Sequence, residues 1–409
     1  MSVVTVSQAA ARLGVKPQTL YAYVSRGALT GQRAADGRTT LLDADEVEAL
    51  ARRGRPRRSS RSPALDIIIE TKITSVDRGT LSYRGHDAVD LARTHTFEEV
   101  AHLVWTGSLP ERFASWPPAG APSLGVSRDV LDHLSVFDRF RVIVALADRG
   151  HRDVPAAGRS IIAGVVDAFA DSGDGRRARL YLTERPPLAG TIAARLTPAL
   201  SPSARVDRAI VEAVNASLVL LTDHELASST LAVRVAASTR ADPAAAIGAG
   251  LGALSGPLHG SASGTVRSIF DAVQRGTPVS AAIDAVSTQV ASGHGVSPVV
   301  AVGFGHPLYP DGDPRGAALL LRARAVAASH RRSHEMWVID QVAEVMGAQT
   351  GRAPNVDFGL AALGHVAQMR PDAGQIIFTV ARMAGWLGHA IEEYEQEPLR
   401  FRGRARYIG

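Results

Sequence analysis

The 409-residue chain contains no cysteine. That absence excludes a disulfide scaffold, thiolate-ligated zinc, an iron–sulfur cluster and a thiol nucleophile. Long apolar runs are missing as well. The greasiest stretches, Ala216–Leu221 and Ala244–Leu254, are too short or too rich in glycine to span a bilayer, which takes about 20 residues. The opening MSVVTVSQAAARLG has no basic region leading into an apolar one, so no secretory signal is expected. There is no Walker-type phosphate loop and no internal repeat of fixed period. The cluster Gly248-Ala249-Gly250-Leu251-Gly252 follows a helical pattern and reads as helix-packing glycines, not as a dinucleotide fingerprint. A soluble, cytoplasmic protein is expected. Its length fits two or three domains, and its 45% hydrophobic residues suffice for a sizeable core.

What charge excess there is sits at one end. Residues 1–63 hold 11 Lys and Arg against 5 Asp and Glu, whereas the remaining 346 hold 34 against 35. A small basic module joined to a large, nearly neutral one is the natural reading. The join is the run Arg52-Arg53-Gly54-Arg55-Pro56-Arg57-Arg58-Ser59-Ser60-Arg61-Ser62-Pro63. It has no periodic apolar face, and its like charges, Pro and Ser disfavour helix, so it reads as a solvated linker. The expected boundaries are 1–53 for the small module, 54–64 for the linker and 65–409 for the large module.

In the small module Ser7 is expected to cap a helix over Gln8–Leu13 that Gly14 closes. Pro17 opens a second helix with Leu20 and Val24 on its inner face and Gly27 at its end. Asp36-Gly37 marks a hairpin between Gln32-Arg33 and Thr39–Leu42, and Asp43 with Glu46 resembles a capping box. The second helix would expose Lys16, Gln18, Thr19, Tyr21 and Arg26, side chains able to meet phosphates and base edges. The run VSQAAARLGVKPQTLYAYVSRGAL resembles excisionase/MerR-type winged helices, which implies DNA or a protein as partner.

In the large module apolar residues recur at three- and four-residue intervals from about Thr96, so a mainly α fold is expected. Val380, Ala384, Leu387, Ile391 and Tyr394 form such a stripe, with Arg382 off it, and Trp386 and Tyr394 read as core. Short strands are expected only near Leu65–Tyr83, from Ile67-Ile68-Ile69 and around the Asp77-Arg78-Gly79 turn. Chemistry concentrates in four short segments of the last 190 residues: Thr222-Asp223-His224-Glu225, Gly256-Pro257-Leu258-His259-Gly260, Gly303-Phe304-Gly305-His306-Pro307 and Pro354-Asn355-Val356-Asp357-Phe358. A lone histidine is usually a core residue, but four such segments with Arg315 and Arg382 beside them point to a site. His330 and His334, in HRRSH, share one expected helix face but lack further ligands, so no metal is expected.

These segments, with IETKITSVDRGTLSYRGHDAVDLA, TFEEVAHLVWTGSLP, GFGHPLYPDGDPRG, APNVDFGL, FTVARMAGWLGHAIE and RFRGRARYIG, resemble the citrate synthase family in order from about Ile69 to Gly409. The resemblance implies a large helical domain, a small mobile one over about 260–365, and a homodimer. It also implies an acyltransferase that joins an acyl-CoA to a 2-oxo acid, acetyl-CoA with oxaloacetate giving citrate, or propionyl-CoA giving 2-methylcitrate. No permanently bound cofactor is implied; the coenzyme A thioester is a co-substrate, with Gly303, Phe304 and Gly305 on its side of the site. By the same resemblance Asp357 is the base that takes a proton from the thioester methyl, and His259 stabilises the enol. His306 polarises the ketone and protonates its alkoxide, while Arg315, Arg382 and Arg402 bind carboxylates with His224, Arg402 reaching across the dimer. The chemistry suits these residue types. A methyl proton is a poor acid, so base and hydrogen-bond donor must act together, and a dicarboxylate calls for the planar fork of Arg. Asp357 at a helix start would have its pKa lowered by the helix dipole and raised by desolvation. Three local departures from the family bear on coenzyme binding. Pro307-Leu308 stands where many bacterial relatives place a basic residue, the Asp311-Gly312-Asp313 stretch is acidic, and Gly260-Ser261-Ala262-Ser263 replaces the commoner Gly-Gly-Ala-Asn. The stretch Pro122–Val206 matches the family poorly and looks shortened. The second function class is a DNA-binding regulator whose large module senses a metabolite.

Overall fold

The structure, a computed structural model, describes residues 3–13, 20, 24, 29–34, 40–44, 46–47, 67–111, 115–116, 128–147, 153–170, 190–201, 206–256, 262–294, 302–403 and 407. The chain divides into two compact units, Met1–Ile68 and Ile69–Gly409.

The first unit contains β1 (Val3–Thr5), α1 (Val6–Leu13), β2 (Gly31–Arg33) and β3 (Thr40–Asp43), with β3 antiparallel to both other strands. Val6, Ala9, Ala10, Leu20, Leu29, Leu42 and Val47 form its core. The helix starts earlier than the Ser7 cap implied. Thr5 Oγ1 accepts from the Gln8 amide at 3.3 Å while the Gln8 side chain accepts from the Thr5 amide at 2.9 Å, a reciprocal capping box. The expected box of Asp43 and Glu46 is only half formed. Asp43 accepts from the Glu46 amide at 3.2 Å, but the Glu46 carboxylate turns to the amide and hydroxyl of Thr30, at 2.6 and 2.9 Å. The pairing of β2 with β3 fits the expected hairpin, and β1 adds a strand that the sequence did not announce. The Asp36-Gly37 turn, Gly14, Pro17, Lys16, Gln18, Thr19, Tyr21, Arg26 and the basic linker lie outside the described residues.

The second unit opens with a small antiparallel sheet of β4 (Thr74–Asp77), β5 (Thr80–Tyr83) and β6 (His86–Asp87). Arg78 (φ 47°) and Gly79 (φ 80°) make its first turn, both left-handed as a tight two-residue hairpin requires. Ile67-Ile68-Ile69 forms no strand, and Ile68 is 86% exposed. Their β-branched side chains find no neighbouring strand to pack on.

Among the described residues the remaining named elements are helices: α2 (Ala88–Thr94), α3 (Phe97–Thr106), α4 (Arg128–His133), α5 (Val136–Ala145), α6 (Val154–Ala170), α7 (Ile192–Leu200), α8 (Arg208–Leu221), α9 (Ser228–Ser238), α10 (Pro243–Leu254), α11 (Ala262–Gln274), α12 (Val279–His294), α13 (Pro314–His330), α14 (Ser333–Thr350), α15 (Val356–Val366) and α16 (Ala373–Tyr394). Among the described residues no helix is long and apolar enough to cross a membrane.

Two features position the site. First, α16 is central: Arg382, Trp386 and His389 are as buried as Val380, Ala384 and Leu387, so this helix has no single apolar stripe and meets neighbours on nearly every face. Its glycines permit that. A Cβ on Gly385 would lie 2.2 Å from the Thr222 carbonyl oxygen, which seats the end of α8 directly on α16. Gly250, from the expected helix-packing cluster, likewise accommodates the Trp386 ring, which a Cβ would approach to 2.9 Å. Second, the starts of α13 and α15 are pressed together, since a Cβ on Gly316 would meet the Asn355 carbonyl oxygen at 2.5 Å.

Candidate active site

The loop after α8 carries Asp223 and His224. Asp223 is fully buried. Its Oδ2 accepts from Thr74 Oγ1 and from His389 Nε2 at 3.1 Å, and the Tyr83 hydroxyl donates to the carbonyls of Leu220 and Asp223 at 3.1 and 3.2 Å. Burial acts to raise the Asp223 pKa, but His389, Arg382 and Thr74 outweigh it and hold the carboxyl below its ordinary value. His224 is also buried, with Nε2 2.9 Å from the Tyr309 hydroxyl. Burial, reinforced by the charges of Arg315 and Arg382, pushes its pKa far down, so the ring is neutral near pH 7. Glu225 follows at φ 49°, a left-handed backbone rare outside glycine and asparagine.

A second loop delivers His306. Gly303 and Gly305, at φ 85° and 69°, let it lie against the chain before α15: the Gly305 amide donates to the Ala353 carbonyl and the Asn355 amide to that of Gly303, both at 2.8 Å. The Leu308 amide donates to His306 Nδ1 at 3.2 Å. A nitrogen that accepts cannot carry the hydrogen of a neutral imidazole, so in His306 that hydrogen belongs to Nε2. Burial and the Arg315 charge lower the His306 pKa, which keeps the ring neutral. Its ring centroid lies 4.8 Å from that of His224, edge to face, and 5.0 Å from that of Tyr309.

Arg315 opens α13 just after its cap, Asp313, and the two form a bidentate pair with both contacts at 2.9 Å. Asp313 also accepts from the Val356 amide at 3.0 Å, tying α13 to α15. Burial opposes the charge on Arg315, yet Asp313 raises its pKa above the ordinary value. With Nε and Nη2 committed, Nη1 has no partner among the described residues. Arg382 is almost wholly buried, donates from Nε to the Leu221 carbonyl at 3.2 Å and lies 4.8 Å from the centroid of Phe378.

Asp357 is the second residue of α15, behind the Asn355 cap, whose side chain accepts from the Asp357 amide at 3.0 Å. Its carboxylate has no hydrogen bond among the described residues. Desolvation raises its pKa to about 6, against the pull of Arg315 and Arg382 and with help from Asp313. Of the two effects expected from the sequence, desolvation acts in the expected direction, and what opposes it is the charge of Arg315 and Arg382.

Asp357, His224 and His306 therefore lie in the field of one cation, Arg315, with Arg382 also acting on Asp357 and His224. A raised carboxyl and two neutral imidazoles thus share the field of buried guanidinium groups, a set of groups able to move a proton and hold an anion. Arg402 is exposed, and His259 falls outside the described residues. Phe304 is 3% exposed and packs edge-on against Phe358, centroids 5.1 Å apart, so this loop offers a ligand its two glycines rather than the Phe ring. No group of three or more His, Asp or Glu able to hold a metal exists among the described residues. His330 and His334 do not share a helix: His330 ends α13 and pairs with Asp207 at 2.9 Å, while His334, in α14, stacks on Trp337.

A family model described as citrate synthase, C-terminal domain, matches residues 66–404, and one described as a helix-turn-helix domain matches residues 3–55. Citrate synthase of Haloferax volcanii is 30% identical over 382 residues, covering 84% of this chain and 94% of the relative. The chain belongs to the citrate synthase family. That family is one of acyltransferases. Citrate synthase 2 of Bacillus subtilis and 2-methylcitrate synthase 2 of Corynebacterium glutamicum are each 29% identical, covering 83% and 79% of this chain and 93% and 87% of theirs. Among solved structures, citrate synthase from Thermoplasma acidophilum, in ternary complex with carboxymethyl coenzyme A and oxaloacetate, has a TM-score of 0.64. At 22% identity it covers 84% of this chain and 94% of its own, and shares the fold.

Several residues of this citrate synthase-family site escaped the sequence reading. Tyr309 and Asp313 stand inside the quoted GFGHPLYPDGDPRG motif, but only the structure gives the first a hydrogen bond to His224 and the second its pairing with Arg315. Asp313 is consequently no surface acid, and only Asp311 is exposed in that stretch. Arg352, also exposed, lies against Gly305, where a Cβ would meet its Cδ at 2.5 Å. It adds a cation to a loop whose Pro307-Leu308 has none.

Proposed function

We propose that the chain condenses acetyl-CoA with oxaloacetate, forming citrate and free CoA. The observation that carries this is the carboxyl of Asp357, lifted to about 6 and without hydrogen bonds among the described residues, in the field of Arg315, which also acts on His224 and His306. Asp357 takes a proton from the thioester methyl, and His259 donates a hydrogen bond to the enol oxygen as it forms. The enol carbon attacks the ketone carbon of oxaloacetate, while His306 polarises the ketone oxygen through Nε2–H and supplies the alkoxide with its proton. Water then cleaves the thioester, releasing CoA. Arg315, Arg382 and His224 hold the oxaloacetate carboxylates, joined by Arg402 from the second subunit of a homodimer. Gly303 and Gly305 lie on the coenzyme side. Propionyl-CoA, which gives 2-methylcitrate, differs by one methylene, worth only about 1–3 kcal/mol in an apolar pocket. Purified protein with oxaloacetate and either acyl-CoA is expected to release free CoA thiol, faster with acetyl-CoA. No release with either overturns the reading.

A second reading concerns residues 3–55, matched by the helix-turn-helix family model and part of a segment with 11 basic and 5 acidic side chains. It makes the small module a DNA-binding element that ties the protein to its own gene region. A mobility shift that weakens steeply with salt supports it. Absence of any shift at low salt sinks it, and leaves a protein partner for this module to be sought by comparing full-length and truncated chains.

A further inference from the structure

Of the seven non-glycine residues of the large unit with left-handed backbone among the described residues, two flank groups of the proposed site. Glu225, φ 49°, follows His224, and Leu399, φ 60°, precedes Arg400 and Arg402. Such conformations persist only where the surroundings over-determine them. One buried side chain reaches toward both.

Arg234, on α9, is 1% exposed, and all three of its guanidinium nitrogens are spent on α16: Nε on His389 Nδ1 at 3.0 Å, Nη1 on Glu393 Oε2 at 3.1 Å, and Nη2 on Glu392. The first contact fixes a tautomer. Arginine only donates, so His389 Nδ1 accepts, and its Nε2 therefore carries the hydrogen given to Asp223 Oδ2. That carboxylate belongs to the residue before His224. In the other direction Glu393, fully buried, receives Arg400 through two contacts of 2.6 Å each, Nε to Oε1 and Nη2 to Oε2. The Leu399 amide donates to the Ser238 carbonyl at 2.8 Å, at the end of the helix that carries Arg234. Arg240 adds three contacts, to the carbonyls of Glu393 and Tyr394 at 3.3 and 2.6 Å and to that of Gln396 at 2.6 Å.

We infer that Arg234 is a positioning residue which, through His389–Asp223 on one side and Glu393–Arg400 on the other, sets both the His224 loop and the C-terminal segment bearing Arg402 for the 2-oxo acid. The inference rests on the function proposed above, since it assigns His224 and Arg402 to the carboxylates of that substrate. Arg234 touches neither substrate nor reacting atoms. Its contribution is that two ligands from segments far apart in sequence are held by one buried cation, so neither strained turn relaxes alone.

The test uses the full chain and the variants Arg234→Lys, His389→Gln, His389→Leu and Arg400→Ala. Arg324→Ala serves as control, because its ion pair with Asp340 joins α13 to α14 with both side chains about half exposed. Lysine keeps the charge but cannot supply three directed donors. The KM for oxaloacetate is expected to rise up to about 100-fold in Arg234→Lys, with the KM for acyl-CoA within about twofold of wild type. Hydrogen exchange is expected to accelerate together in segments 222–226 and 396–402. His389→Gln, which can accept from Arg234 and donate to Asp223, should recover most of the oxaloacetate KM that His389→Leu loses. Arg400→Ala should loosen only the second segment. A fall in unfolding temperature with both KM values unchanged overturns the inference, as does faster exchange in only one segment of Arg234→Lys. Should Arg234→Lys fail to fold, the His389 pair and Arg400→Ala decide the same point. A wild-type protein that releases no CoA defeats the proposed function instead, while the exchange measurement still reports on the coupling.

Discussion

The loop that ends α8 and the turn that starts α15 each place an aspartate near Arg382, yet their carboxyls are tuned in opposite directions. Asp223 is fully buried and held below its ordinary pKa because His389 and Thr74 meet its charge with hydrogen bonds. Asp357 is lifted to about 6 by desolvation, and no donor among the described residues meets its carboxylate to offset that. Burial alone therefore does not decide whether a carboxyl is a base. The supply of donors does. One region spends its hydrogen bonds on rigidity, and the other leaves a carboxylate poised to accept a proton, at a cost of roughly 3 kcal/mol for ionising it.

The sharpest way to break this comparison is Asp357→Asn. Turnover is expected to fall by about 10²- to 10⁴-fold, measured as CoA release, with the fold retained in circular dichroism. An Asp223→Asn variant losing as much turnover at unchanged oxaloacetate KM would erase the distinction between the two.

The pH dependence comes next. The rate constant kcat/KM should climb about tenfold per pH unit below about 6 and level above it, as free Asp357 ionises. Stability should move the other way. A folded pKa raised above the unfolded value of 3.8 gives stability that is complete below 3.8 and lost as pH rises through about 6. Thermal unfolding of Asp357→Asn should accordingly exceed wild type at pH 8 and converge with it near pH 4. Asp223, lowered, carries the opposite sign: its stability is present above 3.8 and is lost as pH falls through the folded value.

Asp223→Asn should then cost about 3 kcal/mol in chemical denaturation at pH 7.5, because one partner of a buried charged network is removed, and the deficit should shrink below about pH 4. Arg352→Ala, outside both regions but against Gly305, is expected to raise the acyl-CoA KM about tenfold, near 1.4 kcal/mol, with the oxaloacetate KM unmoved.

The smallest effect belongs to a third buried carboxyl. Glu98 is raised to about 7 by burial, accepts from the Ile192 amide at 2.6 Å and has one oxygen without a partner. Glu98→Gln should stabilise the fold at pH 8 by about 1 kcal/mol and leave turnover unchanged, which would separate a raised pKa from a catalytic one.

Much of this architecture was legible in advance. The helical periodicity, the Arg78-Gly79 hairpin and the packing role of Gly250 follow from local rules of spacing and backbone conformation. The candidate site was legible through motifs in which His, Asp and Arg stand beside Gly and Pro. Where the reading failed, the missing term was a partner. Ile67–Ile69 had strand composition but no strand to join, His330 and His334 were separated by a helix boundary, and Glu46 found Thr30 before its own cap. Arg382 stands off the expected stripe, but α16 is surrounded, so the arginine is buried along with the stripe.

Residue types and their order determined that helices would dominate, that the excess positive charge would sit in the first 63 residues, and which segments set His, Asp and Arg beside Gly and Pro. They did so because helix periodicity, turn geometry and charge are properties of neighbouring residues. Only the tertiary structure decided that the Asp357 carboxyl meets no donor among the described residues, that Asp223 is locked, and that Arg234 ties α9 to α16. Desolvation and hydrogen bonding depend on which distant groups arrive within about 3 Å, and chain spacing does not encode that distance.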